Sequence, residues 1–433
     1  MIASFDDLLG RAVSMRALAL LRVLAGPAVL LHLQPFLSDG WDGRTYQDGF
    51  YEPYAAWYPE LPEAVYVGLL WLAAAAAVAM SLGFLTRLAT ATTFGIVAYN
   101  LFLSTTHFHN NRAYLVIVLG LLAVAPCGRE LSLDAWIRRR RGRAALDTSA
   151  PAWPLWLLRF ECAAIYGASG LSKLVDPDRF GGTVTWQRVV RARDELEAWP
   201  LPDWAVSALT DRGFHTGAAK FIVLTELFIA LGLWWRGTRY AAVWVAVVFH
   251  LSIETSASVQ VFSYLGIAVL VIWAVPSTRD RVLRIDPAVG RHRRWGAVVR
   301  RLDWLARFRV EPAPPGSRLE VVDRDGTTIF GAPAVVLTLS RLPLTAWFAL
   351  PALLHPGVRG ARRAGRQDHR ARRCGESDGR TMIAVPQGPT PPGNPPRPGY
   401  ETGRPPALRD RPRRHLFGDR GDHLLAVYLA RCS

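Results

Sequence analysis

The sequence predicts an all-α polytopic integral membrane protein of about eight transmembrane helices, followed by a small α+β cytoplasmic segment and a disordered tail. Three observations carry this expectation. Long apolar runs fill the first 275 residues, charge is pushed into the loops between them and into the residues beyond, and many of the 16 Trp stand near the ends of the runs. Tryptophan at such positions suits the belt at a membrane–water interface. The averages alone, 51% hydrophobic and 20% charged over 433 residues, would equally fit a soluble enzyme of two or three domains. Their uneven distribution along the chain excludes it. The four Cys are scattered without CxxC or zinc spacing, so neither a disulfide framework nor a cysteine-based metal site is expected.

A membrane-spanning helix needs about 20 mostly apolar residues. Candidates run over 16–33, 64–82, 88–103, 113–127, 154–174, 219–235, 240–253 and 259–275, the fourth and seventh being short. Arginines cluster after the second, fourth, sixth and eighth runs: Arg87, Arg129 and Arg138–Arg141 with Arg143, Arg236 and Arg239, then Arg279, Arg281 and Arg284. The loop after the first run carries Asp39, Asp42, Asp48, Glu52 and Glu60 against Arg44. The positive-inside rule then predicts a multi-pass protein of the cell membrane with both termini in the cytoplasm. This orientation brings polar residues of several spans to the outer face: His32 and Gln34, His107 to Asn111, Lys173, Glu226, and His250 with Glu254. Ionisable groups within spans are costly and face a bundle interior or a cavity, so a polar cavity open to the outside is expected.

Lysine is the most informative residue type. Of 51 Lys and Arg only Lys173 and Lys220 are lysine. Arginine keeps its proton, whereas a desolvated lysine can lose it and act as a base. Lys173 closes an apolar stretch, where it serves either as a base or as a snorkelling anchor for the helix end. His107 with His109, or His250 with its i,i+4 neighbour Glu254, could share a metal or could hydrogen-bond as ordinary buried polar groups; no metal site is predicted. Arg22, Arg159 and Glu161 are expected to form intramembrane pairs. No internal repeat is evident, which weighs against a transporter.

Three segments carry a family resemblance. Ser169-Gly170-Leu171-Ser172-Lys173-Leu174, followed by Asp176 and Gly181, resembles the lysine-bearing segment of the vitamin K-dependent gamma-carboxylases. Asn110-Asn111-Arg112-Ala113-Tyr114-Leu115 is similar to that family's Asn-Asn-His-x-Tyr-Leu, and Phe249-His250-Leu251 with Gly266 downstream resembles a third polar segment. Over 11–277 the chain is identified as a member of the bacterial HTTM (horizontally transferred transmembrane domain) group, which is also related to the sporulation-delaying protein B family. The resemblance implies Lys173 as a catalytic base, with His250, Asn110 and Asn111 in the same catalytic site and Tyr114 and Glu226 binding the cofactor. It implies a reduced quinone of the vitamin K or menaquinone type as that cofactor, with the bilayer and a peptide or protein substrate as partners. Arg112 stands where the family has histidine, and the large extracytoplasmic domain of the animal enzymes is missing. The implied activity is therefore lipid-quinone-linked rather than glutamate carboxylation itself. A non-enzymatic factor for peptide or toxin maturation or export is the alternative.

Beyond the spans, 278–355 is expected to form the small cytoplasmic segment. It combines a basic amphipathic stretch over 295–308, a hairpin over 319–330 turning at Asp325-Gly326, and a helix over 332–350. Its Val-Val-Asp-x-Asp-Gly run resembles the end of thiol-disulfide oxidoreductase-like DCC domains, without their redox cysteines. The Arg- and Pro-rich stretch 356–433 is expected to be a solvated, disordered tail with no specific nucleic-acid partner.

Overall fold

The computed structural model describes residues 5–41, 52–105, 108–191, 193–198, 200–257, 261–276 and 281–345, together with 349, 355–361, 364, 365 and 367. Every apolar run is helical: α1 Arg16–Trp41, α2 Glu63–Leu82, α3 Thr86–Phe102, α4 Asn110–Val124, α5 Trp153–Val175, α6 Arg212–Gly232, α7 Arg239–Ala257, and α8, which is broken into Val261–Val269 and Val271–Ala274. Only α1, α2 and α6 are long and apolar enough to cross a membrane by length and composition. Of the eight expected spans, these three meet that measure among the described residues. α3 and α4 have 17 and 15 residues, and α8 is split into nine and four. α5 is long enough but carries Arg159, Glu161 and Lys173.

Local signals explain the helix ends. α2 stops at Gly83, whose left-handed φ of 70° lets its N–H and that of Phe84 reach back to the carbonyls of Met80 and Ala79. α3 has no cap of its own. Its first N–H groups, on Leu85 and Thr86, are accepted at 2.9 and 2.8 Å by Asp134, which also takes the Thr86 hydroxyl. Asp134 belongs to the short helix Leu133–Arg140, so one carboxylate fastens two elements. Asp211 caps α6 through the Phe214 N–H at 2.7 Å. The long connection between α5 and α6 folds into the short helices Pro177–Phe180, Thr183–Arg191, Arg193–Glu197 and Asp203–Thr210.

The contacts repeat. α1 packs on α2, α2 on α3 and α3 on α4; α5 packs on α6, α6 on α7 and α7 on α8. The halves meet through α1 with α8 and α4 with α5, the same relation seen from either side. Each half opens with a strand, β1 Ala12–Ser14 and β2 Ser149–Pro151, and the two pair antiparallel. Motifs follow suit: Leu18-Ala19-Leu20-Leu21-Arg22 matches Leu155-Trp156-Leu157-Leu158-Arg159, Thr86-Arg87-Leu88-Ala89 matches Thr238-Arg239-Tyr240-Ala241, and Tyr114-Leu115-Val116-Ile117 matches Tyr264-Leu265-Gly266-Ile267. The expectation of no internal repeat is therefore wrong. The signal lies in three short motifs that conserve packing positions and is diluted by unequal loops. The β1–β2 ribbon also qualifies the all-α expectation for this part of the chain.

The two matched arginines do equivalent work. Arg22 donates to the Leu131 carbonyl just beyond α4 at 2.5 Å, and Arg159 donates to the Ile272 carbonyl in the last turn of α8 at 2.8 and 3.2 Å. Arg159 ties the first helix of its half to the end of the fourth, and Arg22 ties its own to the turn that follows the fourth. Arg159 also lies over the Trp273 ring. Backbone carbonyls and aromatic faces, rather than the expected intramembrane acid–base pairs, hold these cations. Glu161 is not a partner of either.

The small segment carries a sheet in the order β4-β3-β5-β6, from β3 Arg281–Ile285, β4 Phe308–Pro312, β5 Glu320–Val322 and β6 Thr328–Phe330. β3 and β4 are parallel and joined by α9, Gly290–Leu302, a βαβ unit; β5 and β6 form the expected hairpin, with Gly326 at φ 78° in its turn. α10 covers only Gly331–Leu339, shorter than the expected 332–350, because the chain turns at Ser340 before Pro343. Order continues past 356, contrary to the expected tail boundary: 356–361 is helical, Val358 is buried and Ala361 packs on the sheet's core. The remainder of the expected disordered tail, like His107, lies outside the described residues.

Candidate functional site

The site is built on one stripe of α5. Cys162, Tyr166, Ser169 and Lys173 recur at helical spacing and so share a face. α6 brings Glu226 against this stripe, α7 brings His250, and the start of α4 brings Asn110, Asn111 and Tyr114. The site thus lies where the two halves meet.

The Lys173 Nζ is 2.6 Å from Glu226 Oε1 and donates to Ser169 Oγ at 2.9 Å, while the Ser169 hydroxyl donates to the same carboxylate oxygen at 2.9 Å. The triangle is closed. Its other carboxylate oxygen, Glu226 Oε2, is buried and has no hydrogen-bond partner among the described residues. The Lys173 side chain keeps 28% of its surface exposed and Glu226 only 4%. Lys173 is thus held on a carboxylate rather than standing alone at the helix end, and the oxygen of that carboxylate left without a partner is Oε2.

One turn deeper, His250 Nε2 and the Tyr166 hydroxyl are 2.6 Å apart. Phe249 and Phe262 set their rings at 5.9 and 5.1 Å from the imidazole. The ring fits only because residue 266 is glycine: a Cβ there would lie 2.3 Å from the His250 Nε2. The expected i,i+4 alignment of His250 with Glu254 produces no bond, since the imidazole turns inward to Tyr166.

Two adjoining spaces result. An inner chamber of about 40 Å³ is bounded by Tyr114, Cys162, Tyr166, Glu226 and His250, room enough for a water. An outer chamber of about 310 Å³ is lined by His109, Asn110, Asn111, Tyr114, Glu161 and Ser169. Tyr114, Ile165, Ser169 and Phe262 border both. On the outer surface of α6 and α7 an apolar groove of about 540 Å³, walled by Phe221, Trp244, Val248 and Phe249, backs onto the inner chamber through Phe249.

All six residues singled out for the site, Lys173, His250, Asn110, Asn111, Tyr114 and Glu226, converge here. His32 does not. It is buried in the other half beside Phe36, and Arg112 lies over that same ring at 5.0 Å. Arg112 thus faces α1 and borders neither chamber. Tyr166, Ser169, Cys162 and Glu161 were missed, although stepping back from Lys173 by four, then three, then four positions reaches the first three. No group of three or more His, Cys, Asp or Glu suited to a metal exists among the described residues.

The model of the HTTM domain family matches residues 11–277, the whole helical bundle and more than half the chain. The chain belongs to the HTTM family. Neither the curated proteins nor the solved structures include a match to it. Membership makes the chain a membrane protein, and within its HTTM domain the Lys173–Glu226 pair stands at the seam between two four-helix repeats.

Proposed function

We propose that this HTTM protein is a multi-pass enzyme of the cell membrane in which Lys173 and Glu226 act together as a proton acceptor for a reduced lipid quinone. The single observation that carries the reading is the Lys173–Ser169–Glu226 triangle at the border of two chambers, with an unpartnered carboxylate oxygen. Glu226 Oε2 takes the quinol hydroxyl proton, the O–H bond breaks, and the Lys173 ammonium offsets the charge left on the quinolate. Dioxygen as acceptor then takes two electrons and two protons, yielding quinone and hydrogen peroxide. Asn110, Asn111 and Tyr114 line the outer chamber as hydrogen-bonding partners for the ring oxygens. His250 and Tyr166 close the inner chamber. In this reading all eight helices cross the bilayer, the termini are cytoplasmic and the site opens outward.

The test is oxygen-dependent oxidation of reduced menaquinone by purified protein in nanodiscs. Glu226→Gln and Lys173→Ala are expected to lower turnover by about 100-fold or more, the usual scale of a positioned acid–base group. Lys173→Arg is expected to retain part of it, since the cation survives. Turnover indifferent to Glu226→Gln in a folded variant would sink the proposal and favour the non-enzymatic role in peptide maturation or export.

A further inference from the structure

At the opposite end of α5 from Lys173, about 30 Å away at 1.5 Å per residue, the first repeat carries a second, unrelated cavity. It holds about 670 Å³ and is enclosed by the end of α2, the start of α1 and the helix Leu133–Arg140. Three arginines line it, Arg16, Arg129 and Arg139, against one carboxylate, Glu130. Arg16 is paired with Glu130 at 3.3 Å and also donates to the Trp304 carbonyl. Arg129 donates to the carbonyls of Asp147 and Ser149, with the Asp147 carboxylate also in its field. Arg139 is exposed, with no side-chain bond to any described residue. The lining therefore carries more cations than carboxylates, and Arg139 is free to move onto a ligand.

Its wall is partly apolar. Leu82, the last residue of α2, is 55% exposed, and Leu131 and Leu133 beside it in the lining are exposed as well. Because α2 is long and apolar enough to span a bilayer, its end marks the membrane surface. Trp136 stands exposed at the cavity with Arg140 over its ring at 5.1 Å, an interfacial pairing. A soluble phosphate would use the arginines and leave these leucines without a role. An acidic amphiphile uses both.

We infer that this cavity is a specific site for an anionic phospholipid, its headgroup phosphate held by Arg139 and Arg129 and its acyl chains lying along Leu82, Leu131 and Leu133. Basic pockets at the membrane surface recognise acidic headgroups in this way. The inference is independent of the chemistry at Lys173.

The experiment is native mass spectrometry of the full-length protein in detergent, titrated with dioleoyl-phosphatidylglycerol, dioleoyl-phosphatidylcholine or glycerol 3-phosphate. One phosphatidylglycerol is expected to bind in preference to phosphatidylcholine, and glycerol 3-phosphate is not expected to compete. Arg139→Gln should weaken that binding by roughly fivefold, the effect of one arginine on anionic lipid. Trp136→Ala should weaken it too, whereas Arg143→Gln, in the same basic run but outside the cavity, should leave it unchanged. Equal loss in Arg139→Gln and Arg143→Gln would mean diffuse attraction and overturn the site. So would equal binding of phosphatidylcholine, or displacement by glycerol 3-phosphate, which would point to free phosphate chemistry. Thermal unfolding of each variant in phosphatidylcholine nanodiscs confirms that it is folded.

Discussion

Residue 266 shows how little space the site leaves. Any side chain there would meet the His250 imidazole, which is itself held by Tyr166. Gly266→Ala is therefore expected to act as a substitution of His250, displacing the ring and breaking the 2.6 Å contact. The cost in stability should be about 1–3 kcal/mol, the range for overpacking a filled interior. Comparing turnover of Gly266→Ala and His250→Ala with their thermal unfolding midpoints checks this; a Gly266→Ala protein with full activity would show that the ring position is not needed. The same scale shows what sequence could and could not reveal. The order of the apolar runs implies a common depth for Lys173 and Glu226. It does not imply their contact, because lateral neighbours depend on how helices rotate against each other. Arg112 makes the point in reverse: it adjoins Asn111 in the chain, yet one step of helix rotation turns it to Phe36 in α1.

Among the elements, α3 depends most visibly on a neighbour. Its N-terminus is capped by Asp134 from a helix some fifty positions later, through two N–H bonds and a hydroxyl. Asp134→Ala is expected to destabilise the bundle by about 1–2 kcal/mol, the upper part of the range for lost caps. Asp134→Asn, which retains an acceptor, should recover part of it. Thermal unfolding in a fixed detergent is the measurement, and an unchanged midpoint for Asp134→Ala would refute the capping role. The start of α3 was legible only approximately, since the signal that fixes it is absent from its own stretch of sequence. The apolar runs located the eight helices well, because that signal is local. They could not say that α8 would break after Val269, or that the basic stretch after 278 would fold as a helix docked on a sheet.

For the whole molecule, the repeat predicts where the chain can be divided. Residues 141–147, between the helix Leu133–Arg140 and β2, are exposed and connect the halves. Most helix contacts lie within a half, and the rest run along one seam where α1 meets α8 and α4 meets α5 and α8. Co-expressed fragments 1–144 and 145–433 are expected to assemble and co-purify, with the Lys173 site restored because α4 still meets α5 and α8. Fragments that insert but fail to associate would mean that the connection, not the seam, holds the halves together. The repeat was hidden in the sequence because only Leu-x-Leu-Leu-Arg, Thr-Arg-x-Ala and Tyr-Leu-x-Ile survive from it. Each lies where helices touch, and the intervening residues answer to different surroundings.

The β1–β2 ribbon has a consequence for biosynthesis. Ala12–Ser14 leaves the ribosome before any of the bundle, yet its partner Ser149–Pro151 follows four helices later. The early strand must wait, with its backbone groups unmatched, until the second repeat begins to appear. Closure of the ribbon is thus a checkpoint in time: it becomes possible only when the first four helices have been delivered and the fifth is about to enter. A chain halted before that moment has one finished half and an open edge, a ready target for quality control.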